Sequence, residues 1–188
     1  MKTLLILLAV LLVMGLVFGG KLVSIRNDLV TERNAIQGAW AQTDVALQRR
    51  ADLIPNLVET VKGFAKQEQT VFDNIASARS ALLSARTPAE KIDANTRLDG
   101  ALGRLLVVVE NYPALKSNEN FLRLQDELAG TENRIAVERR KYNETVQKYN
   151  TTIELFPNNI AAGLFGFQRS DAYFKTDAGA RTAPKVAF

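Results

Sequence analysis

The hydrophobic pattern divides the chain into one uniformly apolar segment and a long stretch with helical periodicity. Leu4 to Phe18 is apolar throughout apart from one glycine, and Thr3 to Gly20 carries no charge, with Lys2 before it and Lys21 after it. At about 1.5 Å per residue that uncharged run extends about 27 Å, just enough to cross a hydrocarbon core of roughly 30 Å. Two readings fit. A cleaved secretory signal would use the small residues around Val17-Phe18-Gly19; an uncleaved anchor would keep the whole segment. The length of the run, and the helical periodicity that resumes directly after Lys21, favour an anchor over residues 1–21. Lys21, Arg26 and Arg33 follow the span, so the positive-inside bias leans towards a cytoplasmic C-terminal domain.

Beyond the anchor no stretch sustains period-two alternation, and the pattern predicts helices only. The first runs from about Leu22 to Ala51, with Leu22, Leu29 and Ile36, then Trp40, Leu47 and Ile54, at intervals of seven. The second runs from about Leu53 to Ala85, with Asp52 as its cap and Pro55 in its first turn, where a missing N–H does no harm. A continuous helix kinked at Pro55 is the alternative. The third starts at Thr87-Pro88-Ala89-Glu90, which has the form of a capping box with proline at the first helical position. It ends at Tyr112-Pro113, and Gly100 and Gly103 on one face would admit a close neighbour. The fourth, capped by Ser117, repeats Phe121, Leu128, Ile135, Tyr142, Tyr149 and Phe156 every seven residues over about 55 Å and stops at Pro157. Short loops make sequential helices antiparallel neighbours. The expected fold is therefore all-α: a transmembrane helix followed by an elongated antiparallel up-and-down four-helix bundle over residues 22–157. Residues 158–188 read as an irregular C-terminal segment.

Composition narrows the chemistry. The 188 residues include no cysteine and no histidine. Disulfides, a lipoprotein-type signal, thiolate or imidazole metal sites, and catalysis by Ser-His or Cys-His pairs are excluded. Lys+Arg of 24 against Asp+Glu of 20 gives +4, too mild for a dedicated nucleic-acid binder. Glu127, Glu132 and Glu138 suggest a carboxylate cluster, but a di-iron bundle also needs Glu-x-x-His pairs. Neither a metal nor a cofactor is expected.

The remaining candidates are structural or interfacial. Arg49, Arg50 and Asp52 form either an anion or lipid-headgroup site or, more simply, an internal ion pair and a cap. The seam of the first helix turns polar at Thr43 and Arg50, and that of the fourth at Thr131 and Glu138. Antiparallel pairing sets Arg50 level with Thr131 and Thr43 level with Glu138, a shared polar layer that fixes register. Tyr142 and Tyr149 fit the core better than an aromatic ligand box. Leu164, Phe165 and Phe167 either contact a membrane or another subunit, or cover the open end of the bundle.

Several of these residues lie in motifs that resemble the LemA family. They are Arg49-Arg50-Ala51-Asp52-Leu53-Ile54-Pro55-Asn56-Leu57-Val58, Tyr112-Pro113-Ala114-Leu115-Lys116 with Asn118-Glu119-Asn120-Phe121, and Thr131-Glu132-Asn133-Arg134-Ile135. Arg140-Lys141-Tyr142-Asn143, Phe156-Pro157-Asn158-Asn159, Gly166-Phe167, Tyr173-Phe174 and Pro184-Lys185-Val186-Ala187-Phe188 continue the likeness over nearly the whole chain. The resemblance implies a bacterial inner- or plasma-membrane protein with one N-terminal span, a helical-bundle domain and no established enzymatic activity. Some members are encoded beside membrane proteases. The expected function is a non-enzymatic, membrane-anchored scaffold that self-assembles as a homo-oligomer and organises membrane-proximal partners or the bilayer. The alternative is an adaptor or regulatory partner of a membrane protease or other envelope enzyme. Membrane lipid, further copies of the chain and a membrane protein are the expected partners, and nucleic acid is not.

Overall fold

The computed structural model describes residues 2–174, and every regular element among them is helical. The elements are α1 (Lys2–Lys62), α2 (Gln69–Ser84), α3 (Pro88–Val109), α4 (Pro113–Lys116), α5 (Glu119–Glu154) and α6 (Asn158–Phe165). The tail beyond residue 174, including the Pro184–Phe188 motif, lies outside the described residues. The chain divides into two compact units. Among the described residues, the first unit comprises 2–39 with 144–171, and the second comprises 40–143 with 172–174.

The second unit has one apolar cluster supplied by five helices, Leu115 being the residue from α4. Leu47, Ile54 and Val61 come from α1, Phe72, Ile75 and Leu82 from α2, Leu98 and Leu105 from α3, and Phe121 and Ile135 from α5. The expected break at Pro55 is absent, and α1 continues to Lys62. Proline has no N–H, so in a helix interior it leaves the carbonyl four residues earlier without its donor. That carbonyl belongs to Ala51, which is completely buried. Arg79 of α2 replaces the donor: its Nε–H reaches the Ala51 oxygen at 2.7 Å. The lost intrahelical bond becomes a bond between helices, and α1 persists. Asp52 therefore caps nothing and accepts instead from Gln48 at 2.9 Å.

The break falls eight residues later, between Lys62 and Gln69. Gly63 stands just past the last residue, Lys62 occupies the last turn where the helix dipole favours a cation, and the Phe64 and Ala65 N–H groups both turn back to the Val61 carbonyl. Val61, Ala65 and Phe72 keep helix-compatible spacing across it and all are buried, which hides the break in the pattern. α3 begins as its sequence indicates. Thr87 accepts from the Glu90 N–H, and the Glu90 carboxylate accepts from the Arg86 and Thr87 N–H groups, which hold that carboxyl below the usual range. Gly100 and Gly103 have open space around them, so neither marks a close helix approach. α5 is capped by Asn118, not Ser117: the Asn118 side chain accepts from the Phe121 N–H at 3.0 Å. Ser117 instead bonds back to the carbonyls of α4.

In the first unit, Ile25 and Leu29 of α1 pack with Tyr149 and Ile153 of α5 and with Ala161 and Ala162 of α6. α6 occupies a segment expected to be irregular, because its Ala and Gly content gives no apolar stripe to read. It ends at Gly166, whose φ of 73° lies in the left-handed region that favours glycine. The Phe167 N–H returns to the Ala162 carbonyl at 2.9 Å. From Leu4 to Phe18 every large apolar side chain of α1 is at least half exposed. By length and composition, α1 is the one helix among the described residues able to cross a membrane.

The bond between Arg79 and Ala51 can be tested by a double-mutant cycle. Arg79→Leu leaves a buried carbonyl unpaired and should cost about 1–3 kcal/mol. Pro55→Ala restores an intrahelical donor, so in that background the same substitution should cost less than half as much. Urea unfolding of the detergent-solubilised chain measures both, and equal costs in the two backgrounds would refute the account.

Candidate functional site

The charged residues of the signature segment lie in the second unit. Arg50 is buried while its neighbour Arg49 is exposed. The Arg50 guanidinium pairs with Asp99 of α3 and, at 3.0 Å, with Glu132 of α5, and donates to Asn95 Oδ1 at 3.2 Å. Asn95, itself completely buried, donates to the other Asp99 oxygen at 3.0 Å. Arg139 lies 3.6 Å from Asp99. Two guanidinium groups thus face two carboxylates, and their formal charges cancel. Arginine suits this place because its planar fork addresses several acceptors at once and its charge persists on burial.

Thr43, Arg50, Thr131 and Glu138 are all buried in this unit. Arg50 meets Glu132, one residue beyond Thr131, whose hydroxyl turns back to the Leu128 carbonyl at 2.8 Å. Glu138 pairs with Lys141 at 3.2 Å. Sequence reasoning missed Asn95, Asp99 and Arg139. The available signal was Asn95, an amide three residues before Leu98 and seven before Leu102 on the buried face of α3.

Beside the cluster is an open groove of about 470 Å³. Arg50, Asp99, Glu132 and Arg139 border it together with Leu57, Leu102, Leu105, Leu106, Phe121 and Leu128. It combines an apolar wall with a self-neutralised polar edge. Other motif residues punctuate the chain. Pro55 and Asn56 are exposed on α1, Tyr112 and Pro113 start α4, and Lys116 pairs with Glu110.

Tyr142 is buried in an aromatic group, its ring 5.3 Å from Trp40 and 5.9 Å from Phe174, and the Arg139 guanidinium lies 5.0 Å over the Phe174 ring. Asn143 fixes the Phe174 backbone by two bonds, donating to its carbonyl at 2.8 Å and accepting from its N–H at 3.0 Å. The first unit repeats the device: Asn150 holds the Ser170 carbonyl and N–H at 2.8 and 2.9 Å. The Tyr149 hydroxyl there donates to the Gln168 carbonyl at 2.9 Å, and burial raises its pKa.

The expected contact residues Leu164, Phe165 and Phe167 also belong to the first unit. Leu164 and Phe165 are exposed, Phe167 is half-buried, and the Arg26 and Arg33 guanidinium groups lie over the Phe165 and Phe167 rings. Phe156, expected on the buried seam of the fourth helix, is 79% exposed because α5 ends at Glu154. Pro157 precedes α6.

A family model described as "LemA family" matches residues 39–188. Magnetosome protein MamQ 2 of Paramagnetospirillum magneticum is 28% identical, over 81% of this chain and 66% of its own length. The MamQ of Magnetospirillum gryphiswaldense is 27% identical over the same shares. Protein LemA of Metamycoplasma hominis is 26% identical, over 79% of this chain and 66% of its own. The chain thus spans slightly less than two thirds of the length of these relatives. Neither the family description nor the relatives' names state a reaction.

Removing Arg50 should leave Asp99 and Glu132 with Arg139 as the one guanidinium of the cluster. The penalty for breaking a buried pair is about 3–5 kcal/mol, and the partial exposure of both carboxylates reduces it here to about 2–3 kcal/mol for Arg50→Met. Thermal unfolding in detergent, monitored by circular dichroism, measures it. A variant as stable as the parent would show that the cluster does not hold the helices together.

Proposed function

The chain belongs to the LemA family, and on that premise we propose that it is a non-enzymatic, single-pass membrane scaffold. Its helical domain is an antiparallel up-and-down four-helix bundle that self-assembles and organises membrane-proximal partners or the bilayer. One observation carries this reading: the exposed apolar start of α1 is continuous with the helix that supplies buried residues to the cores of both units. An anchor and a core helix in one element tie the domain to the bilayer without a flexible linker.

Two further features support it. Four long helices, α1, α2, α3 and α5, with the short α4 between the last two, share the apolar cluster of the second unit, and a four-helix bundle packs its core in this way. The buried ionisable groups Arg50 and Glu138 are each engaged by a group of opposite charge. Two of the relatives are named for the magnetosome, a cellular structure and not a reaction. The adaptor reading draws on the groove beside Arg50, which offers an apolar surface for a partner segment.

Extraction from native membranes in mild detergent, followed by light scattering, should give a mass of more than one chain. Carbonate washing should leave the protein in the membrane fraction. A strictly monomeric particle would overturn self-assembly, and release by carbonate would overturn the anchor. A photo-crosslinker at Leu106, exposed beside the groove, separates the two readings: crosslinks between copies support the scaffold, and one dominant foreign partner supports the adaptor.

A further inference from the structure

α6 reverses the pattern of an ordinary surface helix. Its small residues Ala161 and Ala162 are buried against Ile25, Leu29, Tyr149 and Ile153. Its large ones are left out: Ile160 is 51% exposed and Leu164 67%. Phe156, four residues before Ile160, is more exposed still. An amphipathic helix bordering water presents its large apolar residues to the core and polar ones to the solvent. The exposed face of α6 suits an apolar neighbour.

Its place within the first unit says which neighbour. α6 packs on Ile25 and Leu29, which lie about 6 and 12 Å along α1 from Lys21, where the apolar run has ended. The headgroup layer beside a hydrocarbon core is about 5–8 Å deep, and an interfacial helix sinks its apolar face about 5–10 Å into the headgroup–acyl boundary. The charges agree. Lys21 and Arg26 are exposed, no carboxylate precedes Asp28 on α1, and the Arg26 guanidinium lies 5.7 Å over the Phe165 ring. Arg169 adds little, because Glu154 already pairs with it.

We infer that Phe156 and the exposed face of α6 insert into the headgroup–acyl boundary of the bilayer that α1 crosses, with Lys21 and Arg26 against anionic phospholipid headgroups. The chain then contacts one leaflet through a second, monotopic element beside its span. This inference rests on reading α1 as a membrane span.

The absence of cysteine from the sequence makes any introduced thiol unique. The full-length variants Leu12→Cys, Asn34→Cys, Ile160→Cys and Leu164→Cys, each labelled with an environment-sensitive fluorophore, are reconstituted into phosphatidylcholine–phosphatidylglycerol vesicles containing spin-labelled lipid. Positions 160 and 164 should show blue-shifted emission and strong quenching by lipid labelled near the headgroup. Position 12 should be quenched by lipid labelled deep in the acyl chain. Position 34, exposed on α1 about 20 Å past Lys21, should show neither effect. Water-like emission at 160 and 164, with quenching at 12, overturns the inserted face and leaves the anchor standing. A blue shift at 160 and 164 without quenching means that protein, such as a second copy, covers the face, and also overturns it. Absence of quenching at position 12 overturns the anchor, and the inference with it.

Discussion

The second unit depends on what becomes of one carbonyl group. Pro55 takes the donor away from the Ala51 oxygen at a completely buried position, where an unpaired acceptor costs about 1–3 kcal/mol. Two outcomes were open: the helix ends there, or another group reaches the oxygen. Arg79 reaches it from α2. α1 therefore continues, and the side chains it carries past the proline, Leu57 and Val61 among them, enter the core on the same helix as Leu47 and Ile54. The bond also ties α2 to α1 at one level, which non-directional apolar packing alone would not do.

This explains which features could be read from the sequence. The α3 start was legible because a capping box is local: Thr87, Pro88 and Glu90 meet their partners within four residues. The α5 heptads were legible because the repeat is long, and Phe121, Ile135, Tyr142 and Tyr149 are all buried. The path through Pro55 was not legible, since it turns on a guanidinium 28 residues away. The end of α1 was hidden by apolar spacing that stays in phase across the break. Thr43, Arg50, Thr131 and Glu138 were identified as buried from two seams, but the groups that meet Arg50 were not. Asp99 and Asn95 come from a third helix that pairwise index matching leaves out.

The return of the chain after α6 shows a similar economy of long-range contacts. A segment without regular structure must still satisfy its backbone. Asn150 supplies a donor and an acceptor to Ser170, and Asn143 does the same for Phe174. Each amide presents the polar pair that a neighbouring strand would have offered, so the segment docks without forming a sheet. In the sequence these asparagines look like solvated helix positions, because their partners lie 20 and 31 residues further on.

The change of pattern along α1 is the strongest argument about its surroundings. Up to Phe18 the large side chains are apolar on every face and all are exposed. After Gly19-Gly20-Lys21 the helix becomes one-sided, with Ile25 and Leu29 buried while Arg26, Asn27 and Asp28 between them are exposed. A single solvent does not call for both patterns in one helix. Water selects the one-sided form, and hydrocarbon accepts an all-apolar surface provided that the backbone bonds close within the helix. The transition at Lys21 is compatible with a water–lipid boundary there.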